Sequence, residues 1–233
     1  MKITNELSSI GRRAALAVIL AGVLSACATD SGRPSPAEPE RVVADARTTL
    51  SNFLRDPDQT WIQQNLGRAK AILIAPQIVR AGFIFGGSGG RAVLVAREGG
   101  AWAGPAFYDL ATASVGFQAG VDVSEAIIVV MTDRGLNSLL STSFKIGGDA
   151  SIAAGPVGAG VRSTITADLI SFTRAKGVYG GLNLDGTVVH SNGNWNDAYY
   201  GKSNVLPPDI LMRRSAQSTK SSALLADVAA AAR

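Results

Sequence analysis

Gly86-Gly87-Ser88-Gly89-Gly90-Arg91 is the stretch whose residue types best suit an anion. Glycines let successive backbone N–H groups converge on a phosphate, and Arg91 adds a fixed positive charge. The order of a nucleotide P-loop, G-x-x-x-x-G-K-[ST], is absent. Two uses remain, a site for a lipid phosphate and the tip of a hairpin. Gly155-Pro156-Val157-Gly158-Ala159-Gly160 reads as a turn, because no helix start and no ribose-binding acid follow in a βαβ unit. Ser88 has no general base paired with it, and His190 is the sole histidine, which excludes a histidine triad and a multi-histidine metal site. Asn192, Asn194, Asn196 and Asp197 form an oxygen-rich stretch. An EF-hand needs Gly sixth and Glu twelfth, where this chain has Asp197 and Ser203, so turn chemistry is the expectation. Asp149, Asp168 and Asp185 fall at polar strand or turn positions, not in a pair suited to acid–base work. The reading is therefore not an enzyme, with no cofactor and no metal.

Cys27 is the other residue with a distinct chemistry. It is the only cysteine, so it has no partner for an internal disulfide. It follows basic residues Lys2, Arg12 and Arg13 and an apolar run from Ala14 to Leu24, the parts of a secretory signal too short to span a bilayer. Leu24-Ser25-Ala26-Cys27 resembles the bacterial lipobox, in which the cysteine thiol is acylated and the chain is cut just before it. Ordinary secretion is the alternative, since Ala26-Cys27-Ala28 also fits an A-x-A cleavage site. After Cys27 comes ATDSGRPSPAEPE, rich in Pro, Ser and charge, an extended tether. Ala28 is not the aspartate that holds lipoproteins at the inner membrane. The expected location is thus the bacterial outer membrane, lipid-anchored, with the domain facing the periplasm or the cell surface.

Charge limits the partners. The formal net charge of +4 falls to +2 once Lys2, Arg12, Arg13 and Glu6 leave with the leader, too little for a nucleic-acid stripe. Lys70, Arg80, Arg91, Arg97, Lys145, Arg174, Lys176 and Lys202 flank apolar strands. Three or four of them gathered in space would hold a tethered domain on an anionic membrane, at about 1 kcal/mol each. Charges at strand ends also guard against edge-to-edge aggregation.

The elements that position these residues follow from periodicity. Hydrophobic residues are 46% of the chain and charged ones 17%, enough for one packed domain, and 26 glycines, above the roughly 7% average, point to many turns and strand bends. Val43, Ala46, Leu50, Phe53 and Leu54 recur at helical spacing. Asp56 caps and Pro57 opens a second short helix carrying Trp61, Ile62 and Leu66. Three apolar runs, Ala71 to Ala75, Ala81 to Phe85 and Ala92 to Ala96, give a strand, turn, strand framework with Gly86 to Arg91 at the tip. Residues 114–121 alternate as one half-buried strand, and Ala126 to Met131 reads as a central strand covered on both faces. Thr132 or Asp133 caps a helix with Leu136, Leu139 and Leu140 on one side. Phe144 to Ile152 alternates as another strand. The apolar parity switches near Asp168, as a bulge would cause, and a hairpin strand from Val178 to Leu184 ends in an Asp185-Gly186 turn. An alanine-rich helix closes the chain. The fold class is α+β: a mostly antiparallel, glycine-rich twisted sheet or partial barrel flanked by peripheral helices.

Several blocks, in order, resemble the SYLF-domain family, lipid-binding domains of eukaryotic membrane and actin regulators and of many bacterial lipoproteins. They are AKAILIAP (Ala69 to Pro76), AGFIFGGSGGRAVLVAR (Ala81 to Arg97), WAGPAFY (Trp102 to Tyr108), SVGFQAG (Ser114 to Gly120), SIAAGPVGAG (Ser151 to Gly160) and NDAYYGK (Asn196 to Lys202). The resemblance divides the chain into a signal peptide (1–26), a flexible tether (27–38), a SYLF-like lipid-binding domain (39–212) and an alanine-rich C-terminal helix or tail (213–233). It implies a non-enzymatic domain that binds acidic phospholipid, phosphoinositide in the eukaryotic members, with head-group contacts sought at Lys70, Arg80, Gly87, Ser88, Gly89, Arg91 and Arg97 and the anchor at Cys27. The alternative is an envelope scaffold that binds another protein and no specific lipid. With a lipoprotein leader and no SH3 module, actin is not an expected partner.

Overall fold

Pro76 follows five apolar residues and has no N–H to donate, yet the strand continues through it. The computed structural model describes residues 34–82, 85–115, 120–158, 166–175 and 184–233. In it β1 (Ala71–Gly82) pairs with β2 (Phe85–Glu98) on one side and with β4 (Gly120–Val130) on the other. Both registers slip at the proline, between Ile74 and Gln77 against β2 and between Ala75 and Ile78 against β4. The bulge leaves Pro76 out of the ladders. The first apolar run and the start of the second, Ala81-Gly82, thus share one strand, Phe85 opens the next, and Gly86 to Arg91 lie inside β2 instead of forming a hairpin tip; residues 83–84 lie outside the described residues.

β3 (Ala101–Val115) pairs with β2, and the eight-stranded sheet runs β5-β8-β3-β2-β1-β4-β7-β6. Its outer members are β5 (Ser143–Lys145), β6 (Ile152–Ala154), β7 (Leu169–Ala175) and β8 (Val188–Ser191). Every pairing is antiparallel except β6 with β7. The two edge strands β5 and β6 are consecutive in sequence, and a parallel bridge between Ile146 and Ala150 links them, so the sheet curls into a half-barrel.

Three expected strands take other forms. Val115 ends β3 and Gly120 begins β4, so residues 114–121 are not one strand; residues 116–119 lie outside the described residues. Phe144 to Ile152 divides into β5 and β6 because Gly147, at φ +83°, turns the chain between them. Asp168 makes no bulge: β7 starts one residue later and pairs without a slip from Leu169 to Ala175. Leu169 and Ile170 are both buried because the strand is covered on both faces, which explains the parity change. The strand expected from Val178 falls on residues 176–183, outside those described, while the turn at Asp185-Gly186 is present, with Gly186 at φ +81°.

Helices follow their signals closely. α1 (Ala37–Arg55) begins within the expected tether and buries Val43, Ala46, Thr49, Leu50 and Phe53. Asp56 accepts from the Asp58 N–H and starts a 3-10 turn before α2 (Thr60–Asn65). Thr132 accepts from the Gly135 N–H at the head of α3 (Asp133–Leu140). Residues 193–200, expected as turn, form α4 (Gly193–Tyr200), because the Asn192 side-chain Oδ1 accepts from the Trp195 N–H as an N-cap should. α5 (Pro207–Leu211) and α6 (Ser222–Ala231) complete the set. Leu224 and Val228 of α6 enter the same core as β1 and α1, and Pro34–Arg233 forms one compact unit.

Candidate functional site

The sequence-derived candidates fall into separate places along the central strands. Lys70 and Arg97 share one end of the sheet, where the Arg97 N–H donates to the Lys70 carbonyl at 2.8 Å. The Lys70 ammonium pairs with Asp133 at 3.0 Å, and the Arg97 guanidinium donates to the Gly67 carbonyl at 2.6 Å. Arg80 sits opposite Ser88 near the other end of β1, with Gly87 and Gly89 beside it. At about 3.3 Å per residue, the nine steps from Ala71 to Arg80 separate the two groups by roughly 30 Å. Arg91 lies between them, its Nε 3.4 Å from Asp109 and its guanidinium 3.8 Å above the Trp195 ring. The cations therefore do not converge on one basic face.

The glycines are not an anion cradle either. Gly86 through Gly90 pair with β1 on one side and β3 on the other. The ladders use the backbone groups that a phosphate would need. Arg174, counted among the basic candidates, is committed elsewhere. It donates to Glu125, whose other oxygen accepts from the Thr49 hydroxyl at 2.9 Å, and it lies above Phe53. Lys202 donates to the Ser215 carbonyl at 2.7 Å. Lys145 is exposed on β5, and Lys176 lies outside the described residues, as does Cys27. His190 belongs to strand β8, not to a loop, opposite Asp109 and Ser143.

What the far end does present is a two-faced sheet. Neighbours across a ladder share a face and successive residues alternate, so two rows can be followed over the strands. Asp122, Arg80, Ser88 and Thr112 form one row, on the face that α3 covers further along, where the Tyr108 hydroxyl donates to the Leu139 carbonyl. Within this row's surroundings Thr112 and Thr187 share a 2.8 Å hydrogen bond and Ser124 donates to Asp122. Val123, Val79, Gly89, Ala111 and Val188 form the next row on the opposite face, the one that α1 and α4 cover further along. There Val79 is 39% exposed, Val188 41% and, one row out, Val121 74%. Large apolar side chains thus point to solvent on the face whose inner part is core. The signal was present in the alternation Val79-Arg80-Ala81 and Val121-Asp122-Val123. Alternation gives two faces without saying which one is covered.

The buried polar groups hold the frame. Asp168 accepts from the Thr132 hydroxyl at 2.6 Å, from the Ser151 hydroxyl at 2.8 Å and from the Ser151 N–H at 3.0 Å, and these bonds hold its carboxyl below the usual carboxylate range. Burial pushes the Tyr108 phenol far above its ordinary value. Among the described residues there is no group of three His, Cys, Asp or Glu placed to hold a metal ion, and no helix is long and apolar enough to cross a membrane.

Comparison with known proteins places the chain. A family model described as "Ysc84: Las17-binding protein actin regulator" matches residues 111–232, more than half of the chain, which therefore belongs to the Ysc84 family, the family of the SYLF domain. Among relatives, an SH3 domain-containing YSC84-like protein 1 from Xenopus laevis is 24% identical over 170 residues, 70% of this chain and 50% of the relative. The LAS seventeen-binding protein 3 of Saccharomyces cerevisiae is 26% identical over 181 residues, 72% and 39% respectively. The human SH3 domain-containing YSC84-like protein 1 is 25% identical over 150 residues, 62% and 44%. The chain thus spans half or less of the length of these relatives. No solved structure matches it.

Proposed function

We propose that this chain is a non-enzymatic, acyl-anchored lipoprotein whose Ysc84 domain binds anionic phospholipid at the bacterial outer membrane. The observation that carries the reading is Cys27, a lone cysteine at the end of an apolar run and seven residues before Pro34, where the folded unit begins. Acylation there keeps the domain within about 25 Å of a bilayer, a distance set by some 3.3–3.6 Å per extended residue. At that range even weak surface attraction holds, because tethering replaces free diffusion by a high local concentration. The far end of the sheet, where Arg80 stands opposite Ser88, is the part that meets head groups. Lys70, Arg91 and Arg97, each already beside a carboxylate or a carbonyl, add only long-range attraction. The actin-regulating role in the family's description is that of proteins whose length this chain half covers.

Mass spectrometry of the mature protein should show an N-terminal acylated Cys27. Vesicle co-sedimentation of the chain from Ala28 onward should show binding to anionic vesicles that exceeds binding to neutral ones and falls with salt. An unmodified N-terminus before Cys27 removes the anchor from the reading. Equal binding to both vesicle types, with discrete partners after cross-linking in cells, would replace lipid with an envelope protein.

A further inference from the structure

We propose that the domain enters the bilayer with one face of the far sheet end, an apolar floor built from Val79, Ala81, Val121, Val123, Ala111 and Ala113 and paved with Gly87 and Gly89. The proposal rests on the membrane reading above and adds to it the surface and the mode of contact, insertion instead of charge pairing alone.

Four observations favour acyl chains as the occupant. The first is a polar boundary. Directly behind the apolar rows on the same face stand Arg174, Glu125, Gln77, Arg91, Asp109 and His190, one from each strand in turn from β7 to β8. Beyond that boundary the rows from β4 to β3 carry no charged side chain among the described residues, and Lys145 stands only at the β5 end of the inner row, opposite Val188. A charged band followed by roughly 10 Å of apolar surface matches the depth at which interfacial elements sit between head groups and chains. The second is exposure: Val121 is 74% exposed and Val79 39%, whereas Ile78 and Leu110, on the α3 face of the same strands, are 2% and 3%.

The third concerns relief. Between its valines, glycine and alanine leave the floor shallow, whereas a folded partner needs closely matched knobs and holes for complementary packing. Fluid acyl chains conform to such a floor. The fourth is the sequence that joins these strands. Residues 83–84 and 116–119 read Phe-Ile and Gly-Phe-Gln-Ala, with no charge. Edge-to-edge pairing with another chain is closed to β1 and β2, which have partners on both sides.

Because Cys27 is the only cysteine and is acylated in this reading, an introduced cysteine can be labelled alone. Full-length acylated protein carrying Val121→Cys, and separately Asn137→Cys on α3 at the opposite end of the sheet, is labelled with an environment-sensitive fluorophore. Each is reconstituted into phosphatidylcholine–phosphatidylglycerol vesicles with and without brominated lipid. The label at 121 should shift to the blue and be quenched by the brominated chains, while the label at 137 stays in water. Adding Val79→Asp to the 121-labelled protein should reduce the quenching by about tenfold, since a carboxylate resists burial in the acyl region. Its urea unfolding midpoint controls for misfolding. A label at 121 that stays in water while anionic lipid still strengthens binding overturns insertion and leaves the lipid reading intact. Loss of both effects overturns both. A blue shift in lipid-free buffer that grows with protein concentration assigns the face to a second copy and overturns insertion, and equal quenching at 121 and 137 reduces the contact to the tether.

Discussion

The space that a Cβ on Gly90 would fill is occupied by the backbone carbonyl of Gln77, well inside van der Waals contact. The two residues lie at the β1 bulge, where Pro76 leaves the ladder and Gln77 resumes it opposite Arg91. Gly90 is a glycine because the bulge presses a neighbouring backbone onto it. Gly89, one residue away, has only ordinary contact, with the Leu110 carbonyl 3.6 Å from where its Cβ would lie. Gly90→Ala should therefore cost about 2–3 kcal/mol by overpacking against backbone. Gly89→Ala should be neutral or stabilising by about 0.4–1 kcal/mol, by restricting the unfolded chain. Urea unfolding of both variants measures the contrast, and equal losses would contradict it.

Asp168 joins the start of α3, through Thr132, to Ser151 beside β6. Its carboxyl is held below the usual range chiefly by the Thr132 hydroxyl bond and then by Ser151. On acidification the unfolded chain takes up the proton first, so this contribution is complete above the unfolded value near 4 and is lost as pH falls through the lower folded value. Asp168→Asn should reduce stability at pH 7 and flatten its decline below pH ~4. Unfolding midpoints from pH 7 to 2 test this; parallel curves for both proteins would refute it.

Arg174 and Glu125 form an ion pair under α1, with Glu125 7% exposed and completed by Thr49. Arg174→Met leaves a buried carboxylate with one hydroxyl partner and should cost about 3 kcal/mol, reduced somewhat by Arg174's partial exposure. Arg174→Met with Glu125→Leu should regain most of that loss, because no buried charge is left behind. A double variant as unstable as the single one would show that the pair is worth more than its desolvation cost.

Tyr108→Phe leaves the Leu139 carbonyl without its 2.6 Å hydroxyl bond in a buried site. A loss of about 1–2 kcal/mol is expected. In the native protein the Tyr108 phenol, raised by burial, should not ionise until the fold opens. Ultraviolet titration of the variant against the parent should show one fewer phenol ionising together with alkaline unfolding.

Much of this frame could be read from residue order. Cap residues Asp56 and Thr132 and the apolar spacing of α1 specify local structure through hydrogen bonds that reach only two or three residues. The alternations at 114–121 and 144–152 each run from one strand into the next, because period two does not mark a strand end when both flanking strands keep a buried face. Gly147 divides the second of these through a positive φ, and Asn192 starts α4 as a cap; neither changes the hydrophobic pattern. For the site, charge and glycine were visible but their distances were not. Lys70 just precedes β1 and Arg80 lies near its far end, and only the β1–β2 and β2–β3 registers show that the glycine amides are already bonded. The apolar floor is hidden in the sequence for a related reason: nothing in the order of residues says that α1 and α4 cover only the inner part of the face to which Val79 and Val121 belong.

The central claim is that lipid is met by the far end of the sheet. Vesicle binding of Arg80→Glu against Lys70→Glu, both in the chain from Ala28 onward, tests it most directly, since the two substitutions change charge equally and lie about 30 Å apart. The account predicts that Arg80→Glu weakens binding to anionic vesicles about thirtyfold, as two charge units near the surface require at about 1 kcal/mol each, and that Lys70→Glu changes it less than twofold. The reverse order, or equal losses from both ends, would contradict it.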